Sequence, residues 1–324
     1  MQKMTRIDLI TELKSAKSVG ITGHIRPDGD CVGSTMALYL YIKKNLPEID
    51  THIYLEKPPA IYDCIKDIDR VEDASLCDRE FDVFIVADVT VTGDRTGEAK
   101  KLIDKSKKVI NIDHHITNKD GSGDVNYVIP EASSACELVY DCFEEELIDV
   151  EIAKALYIGV IHDTGVLQYS NVSKKTLELA GKLITYGFDF SKLIDETFYQ
   201  KTFLQTKLLG KVLSECVLFL DGRVSAGHLS FEDMQENHAT SEDMDGIVNQ
   251  LRFVKGADVA VFMYGISERT YKVSLRSSTD DVDVSKVCAL FGGGGHKRAA
   301  GATLDGTFEE IMTKLVNEIE KQYA

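Results

Sequence analysis

Long apolar runs are missing from this chain of 324 residues. No stretch approaches the roughly 18 consecutive apolar residues that a membrane span requires, and the segment from Met1 to Leu13 predicts an amphipathic helix rather than a signal sequence. We therefore expect a cytoplasmic protein that does not associate with membranes. Hydrophobic residues make up 44% of the chain and charged residues 28%, which is typical of a soluble protein with a sizeable buried core.

Paired cysteines are missing as well. The chain has seven cysteines, an odd number, and they are scattered without a C-x-x-C pair. This pattern argues against disulfide bonds and against a structural zinc site. We expect the cysteines to be reduced and mostly buried.

Positive charge is scarce, because 37 Lys and Arg residues face 53 Asp and Glu residues and the net charge is −16. Proteins that bind long nucleic acids through many phosphates usually have a basic groove. The deficit favours small anionic ligands and excludes a long duplex as the partner. Residues 250–300 are an exception, with eight basic and five acidic side chains, and they predict a local positive patch.

Short apolar segments alternate with helical patterns in the first half of the chain. The alternation predicts α/β architecture, with a parallel sheet and helices on both faces. The predicted strands are residues 19–22, 53–55, 81–87 and 109–112, and the predicted helices are residues 8–17, 31–44, 94–106, 134–146, 150–162 and 173–186.

A second, smaller α/β unit is predicted after these elements. Its apolar strands are residues 216–220, 224–229, 259–266 and 271–276, and two helices complete it. We place a first domain at residues 1–190, a connector at 191–208 and a second domain at 209–324.

Acids and imidazoles follow several of the predicted strands. Because open α/β sheets bind ligands at the carboxyl ends of their strands, we expect these side chains to meet in one crevice. They are His24, Asp28 and Asp30 after the first strand, Asp88 after another, Asp113-His114-His115 after a third, and Asp163 at the end of an apolar helix.

This set of side chains indicates metal chemistry. Carboxylates and imidazoles without thiolates suit Mn²⁺ best, with Mg²⁺, Co²⁺ or Zn²⁺ as possible substitutes. Asp28 and Asp30 can serve different ions from one tight turn, and Asp88 can bridge them. Two ions roughly 3.5 to 4 Å apart would activate a water and neutralise charge on a phosphoryl group, which predicts phosphoester hydrolysis. Adjacent side chains on a strand point to opposite faces, so the two histidines cannot share one role unless the chain has already turned into a loop, and we expect one of His114 and His115 to bind metal and the other substrate.

A glycine run at residues 292–295 predicts a second site. Its backbone can approach a ligand and present N–H groups to phosphate, while His296, Arg298 and Arg276 add charge-assisted contacts. The run lacks the Lys-Ser/Thr ending of a nucleoside triphosphatase loop. The predicted substrate-binding residues are Arg276, Gly293, Gly294, Gly295, His296 and Arg298.

With these motifs the chain resembles, over nearly its whole length, the DHH phosphoesterase superfamily and its DHH plus DHHA1 subfamily of nanoRNases and PAP phosphatases. The resemblance implies a catalytic DHH domain, a substrate-binding DHHA1 domain, an active site in the cleft between them and a homodimer. It implies that His115 contacts the scissile phosphate and that Asp113 orients a histidine. The implied ligands are His24, Asp28 and Asp88 for one Mn²⁺, and Asp30, Asp88, His114 and Asp163 for the other.

Two residues depart from the expected pattern. Cys31 stands where a small apolar residue is expected, and a thiol there could make the site sensitive to oxidation or to thiophilic metals. His162 precedes Asp163, and we expect it to be a packed or solvent-facing residue rather than a ligand.

The resemblance implies a Mn²⁺-dependent hydrolase that degrades short RNA oligonucleotides to mononucleotides and converts adenosine 3′,5′-bisphosphate (pAp) to AMP. A phosphodiesterase acting on cyclic di-AMP or pApA is the alternative within the same superfamily. An inorganic pyrophosphatase fits the glycine run less well, and a processive exonuclease would need further domains and a basic groove. A nucleotide-binding sensor without turnover is the non-enzymatic alternative, and the presence of every implied ligand argues against it.

Overall fold

The computed structural model describes residues 6–323, and the chain divides into two compact units, Met1–Gln200 and Lys201–Ala324. The first part of the helix predicted from Met1 lies outside the described residues. Within them, the first helix spans only Leu9–Leu13, and the Asp8 side chain caps its amino terminus by accepting a hydrogen bond from the Thr11 N–H.

The N-terminal unit is built on a six-stranded parallel sheet, which confirms the predicted architecture. The strand order is β3-β2-β1-β4-β5-β6, so the chain first moves outward from β1 and then returns to its other side with β4. Two strands were not predicted: β3, which has only two residues, and β6, which has four. The strands are β1 Ser18–Thr22, β2 Asp50–Tyr54, β3 Val71–Glu72, β4 Val83–Ala87, β5 Val109–Asp113 and β6 Val125–Val128.

Both faces of this sheet are covered. On β4, Ile85 packs into the larger apolar core, whereas its neighbour Phe84 packs on the opposite face against Leu102 and Ile103. The helices of this unit are α1 Leu9–Leu13, α2 Gly29–Asn45, α3 Lys100–Lys105, α4 Ala135–Asp141, α5 Val150–Asp163, α6 Lys174–Leu183 and α7 Phe190–Ile194.

Helices α2 and α5 approach each other closely because glycines lie at their contact. A Cβ atom on Gly33 of α2 would lie 2.6 Å from the Ala155 carbonyl oxygen and 2.9 Å from the Gly159 nitrogen, both on α5. This packing brings the first turn of α2 and the last turn of α5 to the same edge of the sheet.

Three predicted segments differ in the structure. The helix predicted at residues 94–106 is reduced to α3 and a preceding 3₁₀ turn, because Gly97 has a left-handed φ of +52°. The helix predicted at 134–146 ends at Asp141. The segment predicted as a connector, 191–208, is mostly helical, with most of α7, a π-helical turn at Asp195–Tyr199 and the start of the next helix.

The C-terminal unit has a mixed six-stranded sheet in the order β11-β12-β10-β9-β8-β7, in which only β8 and β9 pair in parallel. The four predicted strands are present, and five helices replace the predicted two. The elements are α8 Phe203–Ser214, β7 Val217–Phe219, β8 Val224–Leu229, α9 Phe231–Glu236, α10 Ile247–Leu251, β9 Val259–Ser267, β10 Thr270–Ser277, α11 Val284–Ala289, β11 Gly294–His296, β12 Ala299–Asp305 and α12 Phe308–Glu320.

The cysteines agree with the sequence prediction. All seven are free thiols, and four of them, Cys31, Cys136, Cys142 and Cys288, are buried. Within residues 6–323, none of the helices has the length and apolar character that crossing a membrane requires.

Candidate active site

The carboxyl ends of β1, β4 and β5 bring together one acid and two imidazoles. The strand order reverses between β1 and β4, and ligands of open α/β sheets bind at this switch point. Asp88 follows β4 directly, and its two oxygens face different histidines. Its Oδ2 lies 3.3 Å from Nε2 of His24, after β1, and its Oδ1 lies 3.4 Å from Nε2 of His114, after β5.

Asp88 is held in an unusual backbone conformation. Its φ is +60°, in the left-handed region that Asp and Asn enter more readily than other side chains. The residue is 2% exposed, and its Oδ1 atom is buried without a hydrogen-bond partner. A buried carboxylate oxygen without a donor is costly unless a cation or water binds it.

Asn111 fixes the segment that carries Asp88. Its buried amide nitrogen donates to the carbonyl oxygens of Val86, at 3.2 Å, and Val89, at 2.8 Å, which lie on either side of Asp88. Its Oδ1 accepts a hydrogen bond of 2.8 Å from Asn118. Sequence reasoning missed this role, because an Asn within an apolar strand carries no signal of which carbonyls it bonds.

Helices α2 and α5 deliver two more acids to His114. Its Nε2 atom lies 3.7 Å from Oδ2 of Asp30, in the first turn of α2, and 3.6 Å from Oδ2 of Asp163, the last residue of α5. Gly159 leaves room for this arrangement, because a Cβ atom there would lie 2.7 Å from Oδ1 of Asp30.

The amino terminus of α4 holds the Asp30 carboxylate. The backbone N–H groups of Ala135 and Cys136 donate to it at 2.6 and 2.9 Å, and the positive end of a helix favours a carboxylate at this position. Asn171 ties the same segment to α5, since its amide donates to the carbonyl oxygens of Ser133, at 2.9 Å, and Asp163, at 3.1 Å. The sequence gives no signal for Asn171 beyond its place in a polar turn.

Asp28 lies at the edge of this group. Its Oδ1 atom caps α2 by accepting hydrogen bonds of 3.1 Å from the N–H groups of Asp30 and Cys31, and it lies 3.7 Å from Nε2 of His24. The structure therefore brings together all six side chains that the sequence suggested as metal ligands.

Two histidines are oriented so that their Nε2 atoms need a cation. Nδ1 of His24 lies 2.9 Å from the Ile25 carbonyl oxygen, and Nδ1 of His114 lies 3.3 Å from that of Ala132. If each Nδ1–H donates to its carbonyl, each Nε2 turns a lone pair towards carboxylate oxygens, which are acceptors as well. A divalent ion satisfies both kinds of atom, so the donor set fits a metal centre.

Without a metal, protons must lie between the imidazole nitrogens and the carboxylate oxygens. Burial disfavours the charged imidazolium, yet the close approach of the Asp88 carboxylate and the charges of Asp30 and Asp163 outweigh it and raise the pKa of His114 to about 10. The pKa of His24 is raised in the same way by Asp28 and Asp88. Burial raises the pKa of Asp163 to about 6, against the opposing effect of His114.

Asp113 orients the second histidine of the DHH triplet. Its Oδ1 atom lies 2.8 Å from Nδ1 of His115 and also accepts the backbone N–H groups of both histidines, while Asn118 donates to its Oδ2 at 2.7 Å. The hydrogen bond to Asp113 raises the pKa of His115. The His115 side chain is 45% exposed and that of His114 only 14%, so the two imidazoles differ in solvent access.

The chain leaves β5 at Asp113, and this changes the geometry expected for the two histidines. They do not point to opposite faces of a strand, because their ring centroids lie 4.8 Å apart and Nδ1 of His115 lies 3.6 Å from Oδ1 of Asp88.

Cys31 lies close enough to this centre to be a potential ligand, although the sequence predicted a ligand set without thiolates. Its sulfur, with one atom each of His24 and Asp88, forms a set of three potential ligand atoms within 4.8 Å of one another. Burial raises the pKa of Cys31 to about 11. His162 is a packed residue, as predicted, because its nitrogens contact the hydroxyls of Tyr62 and Thr197 at 3.3 and 3.2 Å.

The glycine run of the C-terminal unit differs from its prediction. The backbone N–H of Gly293 donates to the Cys288 carbonyl oxygen at 2.9 Å, so it does not present a free donor to phosphate. A Cβ atom on Gly293 would lie 2.6 Å from Cβ of Ala302, which shows that close packing against β12 requires a glycine here. Gly294, Gly295 and His296 form the edge strand β11 rather than a loop.

The two predicted guanidinium residues lie on adjacent segments of the same unit. Arg276 is paired with Ala299 of β12, and the Ser277 N–H donates to the Arg298 carbonyl oxygen at 3.0 Å. The Arg298 side chain is 51% exposed.

Comparison with known proteins assigns both units. The model of the DHH family N-terminal domain matches residues 18–160, and the model of the DHHA1 domain matches residues 223–324. The chain thus has an N-terminal domain of the DHH family and a DHHA1 domain. It is a hydrolase of phosphoester bonds, and its clustered acids and histidines could hold the metal on which the phosphoesterases of the DHH family depend.

Similar proteins cover the chain almost completely. The bifunctional oligoribonuclease and PAP phosphatase NrnA of Thermus thermophilus is 28% identical over 98% of this DHH protein and 95% of the relative. The protein of the same name from Bacillus subtilis is 25% identical over 92% of this chain and 93% of its own. The crystal structure of an exopolyphosphatase-related protein from Bacteroides fragilis is 23% identical, with a TM-score of 0.86 over 100% of this chain and 98% of that one, and it shows the fold.

Proposed function

We propose that this DHH protein is a Mn²⁺-dependent phosphohydrolase that degrades short RNA oligonucleotides and removes the 3′-phosphate of pAp. The observation that carries the proposal is the position of Asp88, a buried carboxylate whose two oxygens face His24 and His114 and whose Oδ1 has no hydrogen-bond partner. Such a carboxylate suits a bridge between two cations.

The proposed ligands follow from the same distances. His24, Asp28 and Asp88 would hold one ion, and Asp30, Asp88, His114 and Asp163 the other. Imidazole ligands favour Mn²⁺ over Mg²⁺, which prefers an all-oxygen shell. When bound, two such ions would polarise a phosphoryl oxygen and lower the pKa of a bound water.

The protein's own groups then have distinct roles. Asp113 accepts the proton on Nδ1 of His115 in a hydrogen bond and keeps that half-exposed imidazole next to Asp88, where in its protonated form it can donate Nε2–H to a substrate phosphate. The N–H groups of Ala135 and Cys136 keep the Asp30 carboxylate in place. Asn111 keeps Asp88 in its left-handed conformation.

We also propose that the C-terminal unit binds the nucleotide, through Arg276, His296, Arg298 and the β11 edge at Gly294 and Gly295. The names of the relatives support RNA oligonucleotides and pAp as the substrate classes. Seven free cysteines fit a reducing compartment, which supports a cytoplasmic location, and we propose a homodimer.

A substrate panel tests this proposal. The full-length protein is stripped with EDTA and reconstituted with Mn²⁺ or Mg²⁺, and kcat/KM is measured for pAp, pApA, cyclic di-AMP and RNA of two to about ten nucleotides. We expect Mn²⁺ to restore more activity than Mg²⁺, and pAp and the shortest RNAs to be the preferred substrates.

A pair of histidine substitutions provides the control. His114→Asn removes a proposed ligand and should abolish turnover, whereas His238→Asn changes an exposed histidine with a φ of +48° and should leave turnover unchanged. A higher kcat/KM for cyclic di-AMP would favour the phosphodiesterase alternative. Stoichiometric pAp binding without phosphate release would favour a nucleotide sensor.

A further inference from the structure

The tight turn between β11 and β12 carries two cations that share one carboxylate oxygen. Oδ1 of Asp280 lies 3.1 Å from Nζ of Lys297 and 3.1 Å from Nη2 of Arg298. Among the acids of residues 6–323, Asp280 alone forms an ion pair with either cation. The single negative charge of Asp280 therefore neutralises only part of the two positive charges of Lys297 and Arg298.

The backbone fixes the two cations in place. The carbonyl oxygen of Lys297 accepts a hydrogen bond of 3.0 Å from the Val284 N–H, at the start of α11, and that of Arg298 accepts one of 3.0 Å from Ser277, at the end of β10. Their side chains stay 49% and 51% exposed. The turn thus presents two positive charges to solvent from a rigid base.

Asp280 is more exposed than its partners. Its side chain is 75% exposed, and it lies in the irregular segment between β10 and α11. Exposed ion pairs contribute little to stability, so this contact can open without disturbing the fold. Phosphate oxygens bind guanidinium and ammonium groups in the same way as carboxylate oxygens do.

We propose that Asp280 is a built-in counter-ion of this anion site, and that a phosphate group of the nucleotide must displace it from Lys297 and Arg298 in order to bind. The inference rests on the proposed function for the class of ligand and adds Lys297 to the nucleotide-binding residues. A terminal phosphate with a charge near −2 competes better against a carboxylate than a phosphodiester with a charge of −1 does.

A binding experiment without turnover tests the displacement. The full-length protein in EDTA is titrated calorimetrically with pAp, and Asp280→Asn is compared with the wild type. We expect the variant to bind pAp more tightly, by up to about five-fold, which is the upper end of the range for one exposed ion pair. Thermal melting of the variant should match the wild type, because the contact contributes little to the fold.

Asp281→Asn is the matched control, because it makes the same change of charge one residue further along, at an exposed position. It should alter pAp affinity less than two-fold. The second control is the background Lys297→Ala/Arg298→Ala, in which Asp280→Asn should have no effect on pAp affinity.

Three results would overturn the inference. Equal gains from Asp280→Asn and Asp281→Asn would mean that pAp senses only the overall charge, and a gain that persists without the two cations would mean the same. Failure of Asp280→Asn to bind pAp at all would also refute it. The proposed function is judged separately, from product release after Mn²⁺ is added: if pAp binds as expected but no product is released, the counter-ion role of Asp280 is supported and the proposed activity is refuted.

Discussion

Replacement of Gly159 by Ala tests whether the contact between α2 and α5 sets the position of Asp30. Gly159 lies within α5, and a Cβ atom there would collide with the Cys136 sulfur and lie 2.7 Å from Oδ1 of Asp30. The added methyl group can fit only if α4 moves away or the Asp30 carboxylate shifts. Either movement disturbs the pairing of this carboxylate with the N–H groups of Ala135 and Cys136.

The expected magnitude follows from two opposing effects. Gly to Ala within a helix stabilises by about 1 kcal/mol, whereas overpacking a buried contact costs about 1 to 3 kcal/mol. The net change should be a loss of roughly 0 to 2 kcal/mol in the free energy of unfolding. Metal affinity should fall about ten-fold, the lower end of the range for changes to groups that hold a ligand in place.

Gly181→Ala is the matched control. Gly181 lies in α6, and a Cβ atom there would meet nothing within 4 Å. It should raise the free energy of unfolding by up to about 1 kcal/mol and leave metal affinity unchanged.

The assay combines urea unfolding of the metal-free protein with a Mn²⁺ titration of each folded variant. A Gly159→Ala variant that binds Mn²⁺ as tightly as the wild type, despite lower stability, would refute the argument. It would show that Asp30 is not a ligand or that its position does not depend on this helix contact.

Three further predictions concern the site directly. Asp88→Asn keeps the shape of the side chain and tolerates the left-handed backbone, but it removes the negative charge that both ions would share. Mn²⁺ affinity and kcat/KM should therefore both fall at least about 100-fold. Near wild-type turnover with two bound ions would contradict the bridging role. Arg298→Ala should raise KM for pAp by an amount equivalent to about 1.5 to 3 kcal/mol and change kcat less. The KM for a small artificial phosphodiester should rise less than the KM for pAp. Equal losses of kcat/KM on both substrates would mean that Arg298 supports the fold instead. Because the pKa values of His24 and His114 are raised in the metal-free protein, protons on these imidazoles compete with metal. Mn²⁺ binding should therefore release protons and weaken as the pH falls. Calorimetry in buffers of different ionisation enthalpy measures the protons released, and Mn²⁺ binding without proton release would contradict imidazole ligation.

The site residues at the strand ends could be predicted from the sequence because their placement depends only on neighbouring residues in the chain. An apolar run predicts a buried strand, and the polar residue that follows it must lie at the sheet edge, which places His24, Asp88 and His114 without any knowledge of long-range contacts. Asp163 could be placed in the same way at the end of an apolar helix.

The supporting contacts could not be predicted, because they depend on which segments become neighbours. Asn111 and Asn171 act through carbonyl oxygens that lie 22 to 25 and 8 to 38 residues away in the chain. The packing role of Gly293 could not be predicted for a different reason, since a need for close backbone packing looks the same in the sequence as a need to approach a ligand. Strand β12 was not predicted either, because its Ala and Gly residues lack the bulky apolar side chains that indicate a strand in a sequence.

The wide spacing of the candidate ligands has a consequence for the order of folding. His24 and Asp163 are separated by 139 positions, and the other four candidates lie between them, at the start of α2, after β4 and after β5. Because closing such long loops is entropically costly, no short segment of the unfolded chain can gather the ligands before β1, β4, β5 and α5 have assembled. The ion would therefore stabilise the assembled unit rather than nucleate it, slowing its unfolding while leaving the rate of refolding unchanged.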